Sequence, residues 1–223
     1  MKDAFAIRFA GGAFIASALM LWLGWMLLPV RTGMFFQPEV FGRIHEQFHF
    51  WIWMYRIHLF GVVMAMVALA ALASHLTQSP VRVLIWPGVM MAAAGLLVSA
   101  LGSAFYYHHG AWGSIELAGK PALTAATFAE ALRVDTEYVT CLVRFGRVFG
   151  GLGMALLGWG VVRGNVLPSW VGGVAGLIGL AAMALTMLLP DDLWLFVPVF
   201  HVFSLWLVGT GLVILRGGLR ANT

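Results

Sequence analysis

The chain has 223 residues, 61% of them hydrophobic and 10% charged, with a mean hydropathy of +0.92 and a formal net charge of +4. Soluble domains carry about 25% charged residues. These figures therefore exclude an ordinary water-soluble globule and predict one all-α, polytopic membrane domain over residues 1–223. The basic residues never form a run, which argues against a nucleic-acid face, and the single cysteine, Cys141, excludes an intrachain disulfide or a cysteine-based metal cluster.

A membrane crossing needs about 20 mostly apolar residues. The first such stretch, 8–30, follows Lys2 and Arg8 and has no Ala-x-Ala site behind it, so it is expected as a retained helix rather than a cleaved leader. After a polar segment at 31–49 come spans at 50–75 and 83–105. A second polar segment at 106–137 precedes spans at 139–162, 166–189 and 193–215. Breaks are expected at Arg31-Thr-Gly33, Thr77-Gln-Ser-Pro80, Arg163-Gly-Asn165 and Pro190-Asp-Asp192, and the short turns make sequential helices antiparallel neighbours. Trp51 and Trp53 suit an interfacial aromatic belt.

Orientation follows from Lys and Arg in short loops. With the N-terminus inside, the cytoplasmic side collects Lys2, Arg8, Arg82, Arg163, Arg216 and Arg220, opposed only by Asp3. The other side collects Arg31, Arg43, Lys120 and Arg133 with nearly all the acids, Asp191 and Asp192 among them. Both termini are thus expected in the cytoplasm. Both polar segments then face outward, in a bacterial inner membrane the periplasm, with the lipid bilayer as the first partner.

Gly146-x-x-x-Gly150 and Gly172-x-x-x-Gly176 have the spacing that lets membrane helices approach closely. Residues 149–174, Phe149-Gly-Gly-Leu-Gly-Met-Ala-Leu-Leu-Gly-Trp-Gly-Val-Val-Arg-Gly-Asn-Val-Leu-Pro-Ser-Trp-Val-Gly-Gly-Val, resemble the Gly-rich hairpin of a bacterial family of six-helix integral membrane proteins, a domain of unknown function. The Arg56 region is similar too. The resemblance implies a six-helix bundle and no activity.

Residues 43–61 concentrate the polar chemistry. His45-Glu46-Gln47-Phe48-His49 is an H-E-x-x-H pattern. On one helix its imidazoles share a face and can grip a zinc ion while Glu46 activates bound water, as in a zinc-dependent hydrolase. A third ligand has to come from 106–137, with His108, His109, Glu130, Asp135 and Glu137 as the candidates. The plainer alternative is an amphipathic helix with interfacial histidines.

His58 carries a second pattern. An intramembrane His followed by Gly61, with Arg56 close by, suits a b-type haem helix, and His201 lies at a matching depth, about 13 Å against about 15 Å for His58 at 1.5 Å per residue. Arg56, Arg144 and Arg147 lie in outer half-helices, where charge is expensive. They are candidates for haem propionates or a quinone, or else for ion pairs with Glu137, Asp135, Asp191 or Asp192. A polar pocket is expected between the second, fourth and sixth spans. The functional expectation is haem b binding with quinone-linked electron transfer, as a subunit beside other membrane redox proteins. The alternatives are the zinc hydrolase and an accessory protein without a cofactor.

Overall fold

The computed structural model describes residues 2–33, 35–76, 80–189 and 193–218, with backbone only at 2, 3, 193 and 194. The expected breaks at 77–79 and 190–192, and the side chains of Lys2, Asp3, Asp191, Asp192 and Arg220, lie outside this set. The described residues are all helical or in short connections: α1 Lys2–Met26, α2 Pro38–Glu46, α3 Phe48–His75, α4 Arg82–Glu116, α5 Ala122–Ala131, α6 Arg133–Gly164, α7 Ser169–Leu188 and α8 Leu193–Leu215. Six of these, all but α2 and α5, contain stretches long and apolar enough to cross a membrane.

The expected spans are recovered with shifted ends. The first helix stops at Met26, four residues early, because Pro29 disfavours helix in the residue before it. In the freed strand the Val30 carbonyl accepts a 2.9 Å bond from the Trp51 indole. The third span, α4, runs on to Glu116, and the fourth, α6, begins at Arg133, so much of the segment 106–137 is helix. At 1.5 Å per residue α4 and α6 are roughly 50 Å long, well beyond a hydrocarbon core of about 30 Å. Their extra turns carry α2 and α5. The α6–α7 turn is closed by Asn165 in a left-handed conformation (φ 48°), which asparagine tolerates, followed by Pro168 as the N-cap of α7.

The six long helices close a ring in the order α1–α3–α4–α6–α7–α8 and back to α1, with each helix packed on its two neighbours. Among the described residues, no two helices facing each other across the ring pack extensively. At four of the six seams a glycine lies against the backbone of the neighbouring helix. Between α4 and α6, a side chain at Gly95 would run into the backbone of Gly146 and Gly150. Between α6 and α7, Gly151 faces the Gly179 carbonyl and Gly172 faces that of Gly158, both within 2.7 Å of an added Cβ. Between α1 and α3, Gly24 lies against the His58 backbone, and between α1 and α8, Gly211 lies against Gly11. Membrane helices gain little from the hydrophobic effect against one another, so close backbone approach supplies dispersion contact instead.

The ring is filled at the end away from α2 and α5 by Leu69, Leu72, Ile85, Leu157, Val171 and Leu207, each essentially inaccessible. The other end is capped at its side by α2. That helix buries Val40, Phe41 and Ile44, which meet Gly110, Gly113 and the Phe128 ring of α5. Trp51 departs from the belt expected of it. It is fully buried, stacked on Tyr107 and packed against the tilted ring of Tyr55, whereas Trp53 is 56% exposed, as an interfacial residue would be.

Candidate functional site

The hollow half of the ring holds a half-open cavity of about 530 Å³ that all six long helices help to line. The expected pocket between the second, fourth and sixth spans (α3, α6 and α8) is part of this larger space. Wall residues run from Tyr55 to Leu69 on α3, from Ala92 to Tyr106 on α4 and from Thr140 to Met154 on α6. Each interval is 14 residues, so the cavity is about 21 Å tall at 1.5 Å per residue.

Its chemistry is graded along that height. At the α2/α5 end stand Arg31, Thr32, Tyr55, Tyr106, Thr140 and Arg147, while the deep end is Leu69, Ala92, Gly95, Met154 and Ile178. The room exists for a structural reason. Gly95, Gly102, Gly146, Gly150 and Gly151 put backbone, not side chain, into the wall where α4, α6 and α7 are pulled together.

The arginines divide. Arg147 reaches the cavity with its guanidinium 3.8 Å above the centre of the Phe196 ring. Arg144 is not part of the wall and donates 2.7 Å to the Thr186 carbonyl in the last turn of α7, where helix carbonyls lack partners. Arg56 is exposed. It donates from Nε to the Tyr107 hydroxyl at 3.0 Å and lies 5.3 Å from the Trp53 ring centre, on the outside of the ring. Glu137 pairs with Arg133 at 3.5 Å, one turn back on the same helix. The second guanidinium of the cavity is Arg31, seated 4.9 Å over Trp25. Sequence reasoning placed Arg31 in a loop, and Tyr55, Tyr106 and Thr140 went unremarked as site residues. Only the i, i+3 spacing of Tyr55 and His58 hinted that they share a wall.

His58 lines the cavity between Trp25 and Phe200, with ring centres 6.3 and 6.2 Å away. Its Nδ1 is buried without a hydrogen-bond partner. His201 is not in the wall; its Nδ1 accepts a 3.1 Å bond from the Trp22 indole. The reason is helical phase. Phe196, Val199, Phe200 and Phe203 form the cavity face of α8, and a residue one step beyond Phe200 points about 100° away. Phe200, the neighbour of His201, packs 6.2 Å from His58, so the two histidines lie near one level of the bundle, but their imidazoles do not share one cavity.

The H-E-x-x-H pattern does not lie on one helix. Its glutamate ends α2, Gln47 turns the chain (φ −122°, ψ 28°), and its second histidine belongs to α3. The shared face expected for His45 and His49 is therefore broken at Gln47. His45, Glu46 and His49 are exposed around a shallow surface hollow completed by Ile115. Among the described residues no three His, Cys, Asp or Glu side chains gather into a metal-binding group. His109 instead turns its Nδ1 to the Phe105 carbonyl at 3.1 Å, and His108 stacks on Trp112. Alanine at His45 or His49 is expected to change stability by less than about 0.5 kcal/mol in detergent unfolding, as at other exposed positions. Loss of a stoichiometric zinc on either substitution would show these histidines to be ligands after all.

No protein-family model, curated protein or solved structure matches the chain.

Proposed function

We propose that the protein is a multi-pass protein of a bacterial inner membrane, with both termini cytoplasmic, that binds a membrane-soluble amphiphile in the hollow half of its ring. A quinone of an electron-transfer chain is the occupant that fits the redox role. The observation that carries the reading is the graded cavity: hydroxyls and guanidinium groups at one end, Leu, Met and glycine backbone 21 Å away at the other. A ligand with a polar head and an apolar tail satisfies both ends at once, whereas water alone would leave the deep end unfavourably wetted.

The test is to extract the protein gently in detergent and identify bound small molecules by native mass spectrometry. The unaltered protein should carry a quinone or another amphiphile near one per chain. Ser99→Leu, which places a bulky side chain in the cavity wall, should lose it. Equal occupancy in the two proteins would overturn the reading.

A haem b reading is favoured by one further observation: His58 stands in the wall opposite glycine-lined α4 and α6, with Arg31 and Arg147 at the polar end where propionates would lie. A bound haem would supply one-electron chemistry, and His58 would be its one protein ligand from this cavity. Protein from haem-replete cells would then show a Soret band that His58→Ala abolishes and His201→Ala leaves in place. A colourless preparation rules this out and leaves the amphiphile reading untouched.

A further inference from the structure

A buried polar atom without a partner is rare in a folded protein and marks a place where something else supplies the bond. Among the described residues four side-chain atoms are in this state: Trp25 Nε1, His58 Nδ1, Thr140 Oγ1 and Thr210 Oγ1. Three of the four belong to residues of the cavity wall, so the shortfall is concentrated where the ligand is proposed to lie. Thr140 stands beside the Tyr106 hydroxyl, and hydroxyl hydrogens rotate, so that pair can serve each other. Trp25 Nε1 and His58 Nδ1 remain. A ring nitrogen of His58 also faces the Leu21 carbonyl of α1, which gives one imidazole N–H a taker, but Nδ1 itself has no partner in hydrogen-bond geometry.

The two rings are neighbours across the α1–α3 seam, 6.3 Å between centres, and Phe200 packs against both at 5.8 and 6.2 Å. Both form part of the wall, and the broad χ2 torsion of such rings lets a nitrogen turn to an incoming ligand. An indole N–H only donates, whereas a neutral imidazole protonated on Nε2 offers Nδ1 as an acceptor. One oxygen serves both only if it accepts and donates, which is the property of a hydroxyl. A carbonyl or ether oxygen accepts from Trp25 and leaves His58 Nδ1 unserved.

Resting on the amphiphile reading, we propose that the head of the ligand carries a hydroxyl seated between Trp25 and His58. It accepts from the indole N–H and donates to Nδ1 of His58 in the Nε2–H form. For a quinone-type ligand the site therefore takes the hydroquinone in preference to the quinone. His58 lies three residues deeper than Tyr55 on α3, about 4.5 Å, and Leu69 at the deep end is 11 residues further, about 16 Å. The tail occupies the glycine-walled space below the two rings, and selection rests on the hydroxyl rather than on charge.

The experiment uses the full chain in uncharged detergent. Equilibrium dialysis under argon compares a decyl-substituted hydroquinone with its quinone and with its dimethyl ether, each quantified by chromatography. The hydroquinone is expected to bind about tenfold more tightly than either, the factor for one hydrogen bond. His58→Phe, which keeps an aromatic ring in the wall, should abolish that preference and leave the affinity for the ether unchanged. Trp25→Phe removes only the donor and should weaken all three ligands while the preference survives.

Equal affinities for the three, with Ser99→Leu blocking them all, would overturn the hydroxyl seat and leave the amphiphile reading standing. A preference that persists in His58→Phe would also overturn it. Should His58→Phe fail to fold, Trp25→Phe decides, since unchanged affinities there sink the proposal. So does a Soret band abolished by His58→Ala, because haem then holds the imidazole. If the unaltered protein binds none of the three, the seat is wrong; native mass spectrometry then finds another amphiphile, which keeps that reading, or none, which ends both.

Discussion

Replacing Gly95 by alanine is expected to destabilise the protein by about 1–3 kcal/mol, the cost of overpacking a tight contact, although alanine is the better helix former. The added methyl would lie 2.6 Å from the Gly150 Cα and nearer still to the Gly146 carbonyl oxygen and the Gly150 nitrogen. All three are backbone atoms, so no rotamer change relieves the clash, and α4 must move away from α6. This is the seam that also forms the glycine wall of the cavity, so ligand binding should fall with stability. Gly12 and Gly173 provide the contrast, since a Cβ at either meets nothing within 4 Å. Gly12→Ala and Gly173→Ala should be neutral or stabilising, by up to about 1 kcal/mol from helix propensity. Thermal unfolding in detergent, followed by size-exclusion profiles, checks both signs. Equal effects at Gly95 and Gly173 would mean that the α4–α6 seam is not held by backbone contact.

The second large effect is expected at Trp51. Its side chain is fully buried. It donates to the Val30 carbonyl at 2.9 Å, stacks within 5° of parallel on Tyr107 and touches Tyr55 at 4.5 Å between ring centres. One residue thus joins the α1–α2 connection, α3 and α4 beside the polar end of the cavity. Trp51→Ala should cost about 3–5 kcal/mol. Trp51→Phe keeps most of the ring contact but leaves the Val30 carbonyl without its donor, a loss of about 1–3 kcal/mol. Because Arg31 follows Val30 in the chain, even Trp51→Phe should weaken binding of any ligand at the polar end. A Trp51→Phe protein with unaltered stability and binding would show that this indole bond positions nothing.

The six spans were legible because a long run of apolar residues can satisfy its backbone only as a helix when water is scarce, and that constraint is local. The glycine spacings at Gly146/Gly150 and Gly172/Gly176 were legible for the same reason: small residues a helical turn apart make one smooth strip. Trp51 and Trp53 mark where this legibility stops. They are two residues apart on α3 and of identical type, yet one is buried and the other exposed. Which face of α3 turns inward depends on α2 and α4, and no local signal carries that.

The candidate site divides the same way. The sequence by itself determined the number of long apolar helices, because that follows from apolar length. Tertiary structure alone decided that the six helices close a ring with one hollow half. It also put Arg31 and Arg147 in the cavity wall while Arg56 and Arg144 went elsewhere, turned His201 toward Trp22, and broke the H-E-x-x-H pattern at Gln47. The physical reason is rotation. Depth along a helix is additive in sequence, but the direction of a side chain depends on the phase at which each helix docks, and that phase is set by contacts between residues far apart in the chain.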